Sequence, residues 1–205
     1  MTEDADLELV LRARSGDYEA FEVLVGRYER RLHALAVRIV RNSEDAKDVV
    51  QETLLSAIEH LPEFRGEATF QAWILRIATN HALKILRKRR GLNTVPLEEG
   101  TQGLPLPQYI ATWRDEPERL AQDDQVRKLL DQALDELDPN YRTVFVLRDL
   151  EGLSTAEAAR AIGISEGNVK VRLLRARLQL RERLTRELGL EATRMSPAPE
   201  HGGGE

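Results

Sequence analysis

Residues 153–184 read LSTAEAARAIGISEGNVKVRLLRARLQLRERL. Ser154 and Glu157 stand at the S-x-x-E spacing of a capping box. In that motif the serine side chain takes the amide three residues on, and the glutamate reaches back to the serine amide. The helix they open is short, with Ala158, Ala159 and Ile162 on its apolar side. Gly163 supplies the left-handed turn that closes it, and Ser165 is placed to cap a longer helix. There Val169, Leu173, Ala176 and Leu180 fall on one face at 100° per residue. Asn168, Val171 and Arg175 point away from that face, and Lys170 and Arg172 flank it. A short helix, a glycine turn and a longer basic helix make the outline of a helix-turn-helix. The outward residues suit a DNA major groove: arginine can bond guanine twice, asparagine can read adenine and valine can touch a thymine methyl. Arg177, Arg181 and Arg183 lie farther along, where phosphate contact or plain solvation is expected.

Upstream, Val126, Leu129, Leu130, Ala133 and Leu137 share a helix face. Asp138-Pro139 then reads as an N-cap followed by proline at the first helical position, opening a helix that Gly152 ends. Before this, GLNTVPLEEGTQGLPLPQYIATWRDEPE (residues 91–118) holds four prolines and three glycines and has no periodicity. A connection that long is unusual inside one compact domain and is expected to join two helical domains. MSPAPEHGGGE at the end is expected to be a disordered tail.

The first ninety residues carry four helical patterns. One runs from about Asp6 to Arg14. A second, capped by Asp17, carries Phe21, Leu24, Val25, Tyr28, Leu32, Leu35, Ala36 and Ile39 on one face. A third, with Ser43 as expected N-cap, should bury Val50, Leu54, Ala57, Ile58 and Leu61 before Pro62 stops it. Its other face carries Asp48, Gln51, Glu52 and Leu55 at i, i+3, i+4 and i+7. A solvated surface would account for the polar residues, but Leu55 among them suggests an amphipathic docking stripe. A fourth begins near Thr69 and spaces Phe70, Trp73, Ile74, Ile77, His81 and Ile85 helically.

The chain has 205 residues and a formal charge of −5, and its charge is unevenly placed. Trp73–Arg90 holds Arg76, Lys84, Arg87, Lys88, Arg89 and Arg90 with no Asp or Glu, while acid gathers at Glu3–Glu8, Glu44–Glu52 and Asp115–Asp138. One basic run is ordinarily a solvated face. Two separated basic helices in an acidic chain point to nucleic acid. There is no cysteine, which excludes disulfides, thiolate-ligated zinc and a cysteine nucleophile and fits a reducing compartment. The acidic start is no signal peptide, and no apolar run approaches the roughly 18 residues of a membrane span, so a cytoplasmic protein is expected.

With these motifs in order, DVVQETLLSAIEHLPEFRG (48–66), FQAWILRIATNHALKILRKRR (70–90) and residues 153–184 together resemble regions 2 and 4 of the extracytoplasmic-function sigma factors, the compact group of the bacterial sigma-70 family. The resemblance covers about Leu7 to Leu188. It implies an all-α protein of two small helical domains joined by a long linker, the second a helix-turn-helix. Residues 1–90 would bind core RNA polymerase and the −10 promoter element, 91–122 would be the linker, 123–190 would bind the −35 element, and 191–205 the tail. Asp48, Gln51 and Glu52 match the D-x-x-Q-E face that engages the β′ clamp helices in that family, with Leu55 beside them; the β subunit is a further expected contact.

The resemblance places the capture of a flipped −10 base at the loop Pro62–Thr69, with Phe64, Arg65 and Gly66, and puts Arg76, Asn80, Lys84, Arg87 and Lys88 along the −10 DNA. A parted strand needs cations for its phosphates and surfaces for its bases, which independently accounts for the basic fourth helix. Trp73 could wedge at the melting edge, though its spacing equally makes it core, the reading favoured here; lone His81 reads as structural. Asn168, Lys170, Val171, Arg172 and Arg175 become the −35 contacts. The remaining implied partners are promoter DNA and an anti-sigma factor, with no cofactor, metal or membrane insertion.

Other classes leave residues unused. A conventional helix-turn-helix regulator explains the second domain but not the D-x-x-Q-E face or the first basic helix. A protein-only helical adaptor leaves both basic helices unexplained. An enzyme is the remotest class: His33, His60, His81 and His201 are scattered, and there is no H-E-x-x-H, Walker loop or nucleophile elbow.

Overall fold

The structure is a computed structural model describing the backbone of residues 2–90 and 124–188 and the side chains of 6–89 and 128–184. The expected linker over 91–118 and the tail lie outside the described residues. The described elements are all helical: α1 (Thr2–Arg14), α2 (Tyr18–Val40), α3 (Ser43–His60), α4 (Phe70–Arg90), α5 (Asp124–Glu136), α6 (Pro139–Phe145), α7 (Thr155–Ile162) and α8 (Glu166–Leu188). A single 3₁₀ turn, Leu61–Glu63, follows α3, and a wider π-helical turn, Val146–Leu150, continues α6.

Local chemistry sets the ends. Asp17 caps α2 by accepting from the Ala20 amide at 3.0 Å, and that bond together with Arg12 holds its carboxyl below the usual range. α3 is capped by Asn42, not by Ser43 as expected: the Asn42 side chain accepts from the Asp45 amide at 2.9 Å, so Ser43 is the first helical residue. Asp138 caps α6 with Pro139 behind it. Both bonds of the capping box form at Ser154 and Glu157, at 2.7 and 3.2 Å, and lower the Glu157 carboxyl's pKa. Gly163 ends α7 at φ 79°, a conformation that favours glycine.

α2, α3 and α4 pack on one another, and α1 lies across α2. Leu24, Leu32, Leu35 and Ile39 of α2 and Ile74 and Leu75 of α4 are fully buried between them. α3 is rotated relative to the expectation. Ala46, Val49, Thr53 and Ala57 face the core, Val50 and Leu54 are partly buried, and Ile58 is 52% exposed rather than internal. Thr53 is tolerated inside because its hydroxyl donates to the Val49 carbonyl at 2.6 Å, which leaves no polar atom unsatisfied.

In the second half α5, α6 and α7 surround α8, whose Val169, Leu173, Ala176 and Leu180 are buried as their spacing requires. The two halves also touch. α7 packs along α4, and α2 meets α5, α6 and the π-helical turn.

Candidate functional site

At 100° per residue, Arg76, Asn80, Lys84, Arg87 and Lys88 occupy about 120° of the α4 surface, and all five are exposed. Opposite them Ile74, Leu75, Ala78 and Ala82 are buried. Arg89 lies about 160° round the helix from the centre of this stripe. Its guanidinium pairs with Asp45 and donates to the Val40 carbonyl at 2.8 Å, which ties α4 to the end of α2. Trp73 lies on the cationic stripe but is half-buried, tilted against Phe64 at 5.2 Å and Phe70 at 5.5 Å.

Phe64 does not stand free in the loop before α4. It is buried, and its ring makes an edge contact with Phe70 at 6.1 Å. The apolar ring was drawn into the aromatic cluster, while Arg65 and Gly66 beside it are exposed, with Gly66 at φ 74°. The loop therefore presents one cation and a glycine turn over an aromatic anchor.

On α3, Asp48, Gln51, Glu52 and Leu55 are all exposed and share a face. Leu55 is 48% exposed, and Ile58, one turn on, continues the stripe. Two neighbouring exposed aliphatic side chains beside carboxylates form a better docking patch than Leu55 alone. Ile58 is a candidate the sequence reading missed, although its i+3 spacing from Leu55 carried the signal.

Asp48, Gln51 and Glu52 line one wall of a groove whose other wall is His81, Lys84 and Lys88 of α4. The α3 stripe and the α4 cations therefore share an edge. His81 meets the Ser56 hydroxyl at 3.0 Å. Burial depresses its pKa below the ordinary value, with Glu52 opposing and Lys84 reinforcing the shift.

The helix-turn-helix residues divide. Lys170 is exposed, and Asn168, Val171 and Arg175 are partly exposed, so these four remain on the outer side of α8. Arg172 does not: only 8% of it is exposed. It lies about 40° from Ala176 on the helix circumference, so its long stem falls over the packed face rather than toward solvent. Arg175 Nη1 donates to the Tyr141 hydroxyl at 2.9 Å, and its guanidinium lies 5.9 Å from the Tyr141 ring centre. That support has no local sequence signature, because Tyr141 sits 34 residues away on α6. Among the described residues no group of three His, Asp or Glu side chains is placed to hold a metal ion, and no helix is long and apolar enough to cross a membrane.

Comparison with known proteins identifies the family. Residues 24–91 match the family described as Sigma-70 region 2, and residues 127–180 match Sigma-70, region 4. The chain is 32% identical over 179 residues to the RNA polymerase sigma-H factor of Pseudomonas aeruginosa, covering 86% of this chain and 92% of that one. It is 36% identical over 178 residues to the ECF RNA polymerase sigma factor SigM of Mycobacterium tuberculosis, covering 87% and 84%. Among solved structures it is similar to CnrH in complex with the cytosolic domain of CnrY (30% identity, TM-score 0.60, 89% of this chain and 99% of that one). It is also similar to the sigma factor RpoE in complex with the anti-sigma factor NepR from Bartonella quintana (25% identity, TM-score 0.57, 82% and 97%). Two basic helices carried by two helical domains, matched in order by both regions, place this chain in the extracytoplasmic-function group of the sigma-70 family of RNA polymerase sigma factors.

Proposed function

We propose that this sigma factor docks on core polymerase through Asp48, Gln51, Glu52, Leu55 and Ile58, reads a −35 duplex with α8, and holds the parted −10 strand along α4. The observation that carries this is the α4 stripe. Five exposed polar or cationic side chains, Arg76, Asn80, Lys84, Arg87 and Lys88, run beside the half-buried Trp73 and the exposed Arg65-Gly66 turn. A duplex needs only the cations. An opened strand needs cations together with places for unstacked bases.

Unstacking a base costs a few kcal/mol, and stacking or pocket capture returns about 1–3 kcal/mol. The sigma factor alone is therefore close to balance, and polymerase supplies the remaining affinity by holding both domains near their sites. The shared edge of the α3 and α4 faces fits this, because a strand on α4 would lie next to the polymerase. On the second domain, Lys170 would take phosphate, and Asn168, Val171 and Arg175 would face base edges. A cytoplasmic location and an anti-sigma partner belong to the same reading, supported by the similar proteins CnrH, held in a complex with the cytosolic domain of CnrY, and RpoE, held in a complex with the anti-sigma factor NepR.

The test is run-off transcription with purified core polymerase on genomic fragments, with permanganate footprinting of the −10 region. Transcripts and permanganate-reactive thymines should appear only when the protein is added. Identical initiation with and without it would refute the reading.

A further inference from the structure

We propose that Asp149 is a positioning residue for −35 recognition: by holding Arg177 it fixes the rotation of α8 about its own axis, and so where Asn168, Val171 and Arg175 point. The inference rests on the promoter reading above. Arg177 stands where a phosphate contact or plain solvation is expected from the sequence, yet its guanidinium is engaged inside the domain. Nε donates to Asp149 Oδ2 at 2.7 Å and Nη2 to Asp149 Oδ1 at 2.6 Å. Of the Arg177 side chain 19% is exposed, and of the Asp149 side chain 18%. Two N–H···O bonds between planar groups fix direction as well as distance, and burial spares them most of the screening that salt imposes on surface pairs.

The anchor is itself well held. Asp149 lies in the π-helical turn Val146–Leu150. The Glu151 amide donates to the Val146 carbonyl at 2.9 Å, and the Leu153 amide to the Leu147 carbonyl at 3.0 Å. Arg148 beside it donates to the Leu153 carbonyl. Single π turns within α-helices are rare and are frequently found at functional sites. On α8, Arg177 falls between the buried Leu173 and Leu174 and lies about 150° from the centre of the face formed by Asn168, Val171 and Arg175. Arg175, about 160° from Arg177 on the circumference, is bonded to Tyr141. Tyr141 and Asp149 belong to one continuous helical segment, Pro139–Leu150. That segment therefore holds α8 at two points on nearly opposite sides, and contacts so placed resist rolling in both directions. At an outer helix radius of about 6 Å, a roll of about 20° moves a side-chain tip by about 2 Å, enough to carry a base contact beyond hydrogen-bond reach.

Two other roles for the pair lead to different outcomes. If Arg177 were a phosphate contact, Asp149 would be restraining it. Removing the carboxylate would then free a cation, tighten binding to every duplex and steepen the salt slope by about one. If the pair served packing alone, it would set how readily the domain unfolds and leave the folded domain's choice of sequence untouched. Positioning differs from both. Losing one reading side chain relaxes one base pair, whereas a misrolled helix relaxes together the base pairs that Asn168, Val171 and Arg175 face. The salt slope stays the same, because no phosphate contact is lost.

The test is competition binding by holoenzyme, assembled from core polymerase and the full-length protein. The probes are a promoter fragment recovered in the run-off assay and its single-base variants across the −35 element, with thermal melts of each free variant alongside. Asp149→Asn should lower discrimination about tenfold at two or more base pairs, within the range one bidentate base contact supplies, at an unchanged salt slope. Arg177→Lys, which keeps the charge but not the fork, should do the same. Asp149→Leu combined with Arg177→Met guards against simple unfolding. Exchanging a buried ion pair for apolar side chains of similar volume is often neutral or stabilising, so this double variant should melt near the wild type and still discriminate poorly. Discrimination left intact in all three, whether or not melting falls, overturns the inference and leaves the promoter reading standing, as does tighter binding of Asp149→Asn to every duplex. A wild-type holoenzyme indifferent to the −35 sequence removes the promoter reading and this inference with it.

Discussion

The rings of Phe64 and Trp73 meet at 5.2 Å between centroids, with their planes inclined by 56°. One belongs to the loop after α3 and the other to the cationic helix, so the loop is pinned to the stripe it serves. Phe64→Ala should destabilise the fold by about 3 kcal/mol, as expected for emptying a buried aromatic site. Arg65→Ala, one residue on and exposed, should leave the melting temperature unchanged and lower open-complex formation. Calorimetry and permanganate reactivity measured on both variants check this. Equal loss of stability in the two would mean the loop is merely structural.

Arg175 rests on Tyr141, which restricts where the guanidinium can point. A positioned guanidinium loses less freedom when it meets guanine. Tyr141→Phe keeps the ring and removes the hydrogen bond, so it should weaken holoenzyme discrimination for the −35 duplex by about fivefold, near 1 kcal/mol. Arg175→Ala should cost about 1–3 kcal/mol and relax specificity at one base pair. Lys170→Ala should weaken all duplexes alike and reduce the salt slope by about one. Competition binding across single-base operator variants distinguishes the three. Uniform weakening by Arg175→Ala would remove it from base reading.

Leu55 and Ile58 are each about half exposed on α3. Leu55→Ala and Ile58→Ala should each weaken binding to core polymerase by about 2 kcal/mol, the loss expected at the centre of an interface, with little change in thermal stability. The Ile58 variant is the sharper test. A core isoleucine would cost about 2–5 kcal/mol of stability when truncated, whereas an interface isoleucine spares the free protein. Fluorescence-monitored titration with core polymerase, set beside thermal melts, separates the two.

What was legible in the sequence is what local periodicity and capping encode. Val169, Leu173, Ala176 and Leu180 are buried, and Arg76, Asn80, Lys84, Arg87 and Lys88 are exposed, because 3.6 residues per turn fixes which side chains share a face. Gly163 and the Ser154–Glu157 box stand out because few residues serve those backbone positions. Periodicity failed where two faces are both partly apolar. On α3 the small Ala46 and buried Thr53 define the core side, so Ile58 was turned outward. It failed again at Arg172, whose stem covers apolar surface although its head is charged. Contacts such as Arg31 with Glu151, 120 residues apart, leave no local pattern, and one sequence offers nothing from which to infer them.

His81 provides a test by titration. Partial burial disfavours its charged form, Lys84 adds to this and Glu52 opposes it, and the net effect is a pKa below 6.5. The Ser56 hydroxyl at 3.0 Å can donate to the neutral ring. A folded pKa below the unfolded one means that the unfolded chain binds the proton more readily. The stabilisation is therefore fully present above about pH 6.5 and is lost as pH falls through the depressed folded value. NMR titration of the His81 ring should give a midpoint below 6.5, and His81→Gln should flatten this part of the stability profile between pH 7.5 and 5. Because His81 lines the groove with Glu52, Lys84 and Lys88, its protonation also adds a cation there. Polymerase affinity should thus respond to pH in the same window in the wild type, and respond less in His81→Gln. A midpoint above 6.5 would show that Glu52, not burial, governs the ring, and would reverse the expected direction of the stability change.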